Sequence, residues 1–152
     1  MDFEPDLEPD RSRVEVSRFY RCSPENVWQA LTEPALIERW LMPSTGFVGA
    51  VLGTHFLLSV HPSSPSAEIA CEVVDVTLPG SMTWSWMDLR ASPPAHWFVR
   101  WDVYAHGRGS RLVVTHTGFD VDDKRQMMAR NAFTRGWDQV LSGKLAEVLE
   151  AN

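Results

Sequence analysis

The chain reads as an α+β domain in which a curved antiparallel sheet wraps around a C-terminal helix. Two observations predict it. From Asp122 onward there is no proline, and Ala129, Phe133, Trp137, Val140, Leu141, Leu145, Val148 and Leu149 recur at helical three- and four-residue steps, giving one long amphipathic helix. Between Gly53 and Thr117, by contrast, short alternating segments are separated by turn residues, so neighbouring strands pair antiparallel. Such a sheet has one apolar face to cover, and the last helix is the only element long enough to cover it.

Each element has its own signal. Arg13–Arg21 alternates apolar and polar residues, as a half-buried strand does. Ser23-Pro24-Glu25 supplies a cap, a first-turn proline and an early acid for a helix running to about Leu31 that buries Val27, Trp28 and Leu31. Thr32-Glu33-Pro34 starts a second short helix ending near Trp40, and Pro43, Gly46 and Gly49 mark an irregular passage. Strands follow over Thr54–Val60, Ala67–Thr77 and Ser81–Met87, with a Pro/Ser loop at 62–66 and a turn at Pro79-Gly80. After a loop at 91–95, His96–Ala105 and Ser110–Thr117 form a hairpin about Gly107-Arg108-Gly109. Asp120 or Asp122 is expected to cap the final helix, with an acidic first turn complementing its dipole. Gly136 lowers helix propensity and suggests close approach of another backbone.

Length is that of one domain. The formal charge of −6 is concentrated, since the first ten residues carry five acids and no base, leaving fifteen acids against fourteen Lys and Arg. A near-balanced body has no basic field for nucleic acid. Residues 1–12 read as an acidic, disordered lead-in to a domain over 13–152. No segment is apolar and long enough for export or for a membrane span, and Cys22 and Cys71 are far apart, so reduced thiols and a cytoplasmic location are expected. No metal is expected, because no His/Asp/Glu set has ligand spacing, and no cofactor is expected either.

Within that frame, the candidate chemistry lies on inward faces. Met82, Trp84 and Trp86 share one face of a strand; Trp97, Val99, Trp101 and Val103 share a face of the next; Leu112, Val114 and His116 share a face of the last. Trp84, Trp86, Trp101 and Trp137 are either ordinary core or an aromatic box for a flat or hydrophobic ligand, with Trp40 capping one end. His116, close to Phe119, is either a satisfied core histidine or a general base or hydrogen-bonding group facing a cavity. Gln126, Arg130 and Lys144 fall on the helix face of Phe133 and Trp137, so Arg130 either snorkels to water or reaches a ligand. Cys22, at a helix start, is a candidate reactive thiol, and His55, His61, His96 and His106 read as surface residues.

Four stretches, in order, carry a family resemblance: VEVSRFYRCSPENVWQALTEPALIERW, the strand ending in TWSW, SRLVVTHTGF, and the closing helix with Gly136-Trp137. Together they resemble the START-like (SRPBCC) domains of the heat shock protein 90 ATPase activator homologue family, over residues 13–150. The resemblance implies a helix-grip fold, with two short helices closing one end and an apolar cavity between sheet and helix. The wider superfamily includes lipid carriers, plant pollen allergens, aromatase/cyclase domains and ring-hydroxylating oxygenase subunits, so fold alone does not set function. The family name comes from a two-domain co-chaperone whose further N-terminal domain makes much of its chaperone contact; here only a short tail stands in that place. Three readings follow. In the first, the protein encloses a small hydrophobic or aromatic molecule, as a stress-related carrier or sensor, with Trp40, Met82, Trp84, Trp86, Trp101, Phe119, Phe133 and Trp137 around it and His116 and Arg130 as polar anchors. The second is a cyclase or hydrolase using His116 as acid–base, and the third a chaperone-binding module. An exposed edge strand would permit a homodimer as well as a monomer.

Overall fold

The computed structural model describes residues 10–60 and 68–151. The expected 62–66 loop, His61 and most of the acidic lead-in lie outside those residues. Elements run β1 (Arg13–Tyr20), α1 (Pro24–Thr32), α2 (Pro34–Trp40), β2 (Ser44–Thr45), β3 (His55–Ser59), β4 (Glu68–Thr77), β5 (Ser81–Asp88), β6 (His96–His106), β7 (Gly109–Thr117), α3 (Lys124–Ser142) and α4 (Lys144–Ala151). Seven strands form one sheet in the order β1-β7-β6-β5-β4-β3-β2, every pair antiparallel. The predicted α+β architecture of a sheet with a long C-terminal helix is the observed one.

Local chemistry sets the short helices. The Ser23 side chain accepts from the Asn26 N–H at 3.2 Å, and Pro24 occupies the first turn. Glu33 is extended, as a residue before proline prefers to be, so it closes α1 and opens α2 at once. Val27, Ala30, Leu31, Ile37 and Trp40 from these helices pack at one end of the sheet with Leu145, Val148 and Leu149 of α4. Trp28 is only half-buried, not core as its spacing suggested. β2 is a short addition in the passage read as irregular. In β4 the register shifts between Val73 and Asp75, a bulge that bends the strand.

The C-terminal stretch departs from expectation. It is two helices, broken at Gly143, whose φ and ψ are −104° and −97°. Gly143 N–H donates to the Gln139 carbonyl and Glu147 N–H to the Gly143 carbonyl. The Leu141 carbonyl, beside the break, accepts from the buried Tyr20 hydroxyl at 2.6 Å. The apolar stripe continues through the break, since Leu141 and Leu145 are both fully buried, which is why periodicity alone does not reveal it. Lys144, placed on the aromatic face by that periodicity, is exposed.

The start of α3 also differs. Asp123 is the cap, accepting from the N–H groups of Arg125 and Gln126, while Asp120 accepts from Asp122 N–H and shapes the loop instead. No acid lies in the first turn, which carries Lys124 and Arg125 against the helix dipole. No atom lies within 4 Å of where a Gly136 Cβ would sit, so that glycine serves no backbone approach. Fully buried α3 side chains are confined to Trp137 and Leu141, while Met127, Ala129 and Phe133 of its first half pack half-buried against the core.

Candidate functional site

The inward faces of β5, β6 and β7 meet α3 in a continuous array of rings. Cross-strand register pairs Met82 with Trp101, Trp84 with Val99, Trp86 with Trp97, and Val99 with His116. Trp137 of α3 inserts between, its ring 5.7 Å from Trp86 and 5.4 Å from Trp101. The predicted aromatic box is thereby split about Trp137. Towards α2, Trp84, Trp101 and Trp40 pack with Phe47 and Phe56, and the Trp40 Nε1–H donates to the Ala30 carbonyl at 2.8 Å. Under the first half of α3, Trp86 and His116 pack with Trp97, Phe119 and Phe133. Met82, Trp84, Trp86, Trp101 and His116 are essentially inaccessible.

His116 has a defined protonation state. Its Nδ1 accepts from the Trp137 Nε1–H at 3.2 Å. Burial among rings pushes its pKa down to about 3. The imidazole is therefore neutral at pH 7 and carries its proton on Nε2. Nε2, like the indole nitrogens of Trp84, Trp86 and Trp101, has no hydrogen-bond partner among the described residues.

Beside this second group lies a cleft of about 810 Å³ between the 88–95 loop and α3, lined by Pro93, Pro94, Ala95, Ala129, Ala132 and Gly136, with Trp97 and Phe133 at its inner wall. Arg90, at its rim, is held by Asp88 at 2.6 Å. The Gln126 amide oxygen accepts from Trp97 Nε1–H at 3.2 Å and from the Asp120 N–H at 2.8 Å, tying α3 to β6 and to the loop after β7. Phe133 is half-buried, lining the cleft while its ring lies 4.5 Å from His116. It stands between solvent and the histidine.

Not every expected residue joins the site. Arg130 donates to the Arg13 carbonyl at 3.2 Å and borders a separate surface recess with Asp10, Arg13 and Glu15. It lies by the β1 edge, away from the ring array, because its long arm reaches sideways off the helix. Cys22 is not the cap of α1, and burial pushes its thiol pKa up, opposite to an activated thiol. Cys71 is buried and likewise raised. His55, His96 and His106 are exposed. Among the described residues no His/Cys/Asp/Glu group could hold a metal ion, and no helix is long and apolar enough to cross a membrane. The site residues missed by spacing are Phe47, Phe56, Trp97 and Gln126. Trp97 shows the correct strand alternation and Gln126 the correct helix face; for Phe47, in an irregular passage, no pattern was available.

Comparison with known proteins matches the chain to a family model described as Activator of Hsp90 ATPase homolog 1-like protein, over residues 21–150. Among solved structures, protein MLL2253 from Mesorhizobium loti is 27% identical, with a TM-score of 0.79, covering 92% of this chain and 98% of that one. BH1534 from Bacillus halodurans is 21% identical (TM-score 0.71, covering 90% and 96%), and the Aha1 dimer from Colwellia psychrerythraea 16% identical (TM-score 0.68, covering 87% and 92%); these two share the fold. No curated protein matches.

Proposed function

Since the chain belongs to the Activator of Hsp90 ATPase homolog 1-like family, whose fold is compatible with holding a hydrophobic ligand, we propose that this protein binds a small hydrophobic or aromatic molecule between its sheet and α3, as a carrier or sensor. One observation carries the reading: the largely apolar cleft has as its inner wall Trp97 and Phe133, which belong to the same ring array as His116 and Trp86. Its volume of about 810 Å³ is within the usual range for small-molecule sites. Entry requires Phe133 to turn aside. Phe133 is only half-buried, so that displacement uncovers little of its ring.

The acid–base reading of His116 loses support from its environment. A pKa pushed to about 3 makes a poor base at neutral pH, and Nδ1 is already engaged by Trp137. His116 acts instead as a neutral hydrogen-bonding group, and Arg130 is not part of the site.

The test is native mass spectrometry of the purified protein, then tryptophan emission against a panel of flat aromatic and fatty compounds. A co-purified small molecule, or saturable emission change that Phe133→Ala alters in affinity, is expected. No bound mass together with no response across the panel would overturn the proposal.

A further inference from the structure

The array's unpaired polar atoms all have one sign. Tryptophan Nε1 only donates. His116 Nε2 also donates, because Nδ1 already accepts from Trp137. So, among the described residues, the fully buried Trp84, Trp86, Trp101 and His116 present four N–H groups without a partner, and no unpaired side-chain acceptor is buried. Leaving a buried donor unpaired is costly, and folded proteins pair nearly all of them. The same interior does pair its other ring donors: Trp40 with Ala30, Trp97 with Gln126, Trp137 with His116. The unpaired four sit on the inward faces of three adjacent strands, β5, β6 and β7.

Resting on the ligand-binding proposal above, we infer that the ligand bears a neutral hydrogen-bond acceptor, of the carbonyl class found in aromatic ketones and quinones, directed at His116 Nε2–H and Trp86 Nε1–H. The two rings are neighbours in the array, their centroids 5.6 Å apart. Neutrality follows from where the nearby cations sit: Arg130 is engaged at the Arg13 carbonyl, Arg90 at the cleft rim is paired with Asp88, and Arg125 and Lys144 are exposed. A carboxylate would be buried without a counter-charge. A hydrocarbon would leave the donors unpaired, and a ligand offering only N–H groups would add to their number.

The discriminating pair is 9-fluorenone and fluorene, alike in shape but differing in one carbonyl oxygen. Binding of each is followed by tryptophan emission and calorimetry on the full chain. Fluorenone is expected to bind about tenfold tighter or more, with its carbonyl stretch shifted to lower frequency in the complex than in hexane. His116→Phe and Trp86→Phe should each shrink the preference. The infrared shift on the unaltered protein decides the matter if a variant does not fold. Equal affinity, or an unshifted carbonyl, overturns this inference alone and means that neighbouring ring faces satisfy the N–H groups. Failure of both compounds and of the wider panel overturns the ligand-binding proposal with it.

Discussion

Acid should weaken this fold through His116. In the unfolded chain its pKa returns to about 6.5; in the fold, burial holds it at about 3. Between those values the unfolded chain binds the extra proton and the native protein does not. The depressed pKa therefore costs nothing above pH 6.5, and stability falls progressively as pH drops towards 3. At pH 5 the loss is about 2 kcal/mol, a sizeable share of a typical domain's stability. Its neighbours Trp86, Trp97, Phe119, Phe133 and Trp137 are all rings, and burial is the sole cause of the shift. The assay is urea unfolding at pH 7 and pH 5 on the parent and on His116→Asn, whose amide oxygen can still accept from Trp137. Every other ionisable group is common to both proteins and cancels in the comparison. His116→Asn should lose about 2 kcal/mol less between the two pH values than the parent. Equal losses, or a native-state NMR titration of His116 with an ordinary midpoint, would refute the reasoning.

Three further outcomes are expected. Tyr20→Phe leaves the Leu141 carbonyl at the helix break without its partner, and should cost about 1–3 kcal/mol in urea unfolding. Two glycines of the C-terminal stretch should respond oppositely: Gly136→Ala, with open space around it, should raise stability by about 0.5–1 kcal/mol, whereas Gly143→Ala, whose Cβ would meet the Gln139 carbonyl oxygen at 2.8 Å, should lower the thermal midpoint. Gln126→Ala removes the acceptor shared by Trp97 and Asp120; acrylamide quenching of tryptophan emission should increase, and ligand association should quicken in stopped flow.

Much of this architecture was legible because strands announce their faces. Strict alternation in β5, β6 and β7 put Met82, Trp84, Trp86, Trp97, Trp101 and His116 on inward faces, and there they lie. What alternation cannot give is position along the sheet. Register puts Trp101 opposite Met82 but Trp97 opposite Trp86, and so divides what looked like one aromatic box into a packed end and a cleft end. Helical periodicity fails differently. It counts angles but not breaks, and with Leu141 and Leu145 both buried across Gly143 the stripe looks unbroken. It also assigns Arg130 to a face without its reach: at the β1 edge a long side chain finds the Arg13 carbonyl before any ring.

The choice of residue at the unpaired positions is an argument in itself. For stability alone, a buried ring on β5 or β6 needs only area and shape, which phenylalanine supplies without an N–H to satisfy. Trp40, Trp97 and Trp137 justify their indoles by the bonds they donate. Trp84, Trp86 and Trp101 do not, and His116 adds a fourth donor beside them. A core selected only to pack has no use for four such donors. A core that must receive an oxygen-bearing guest does.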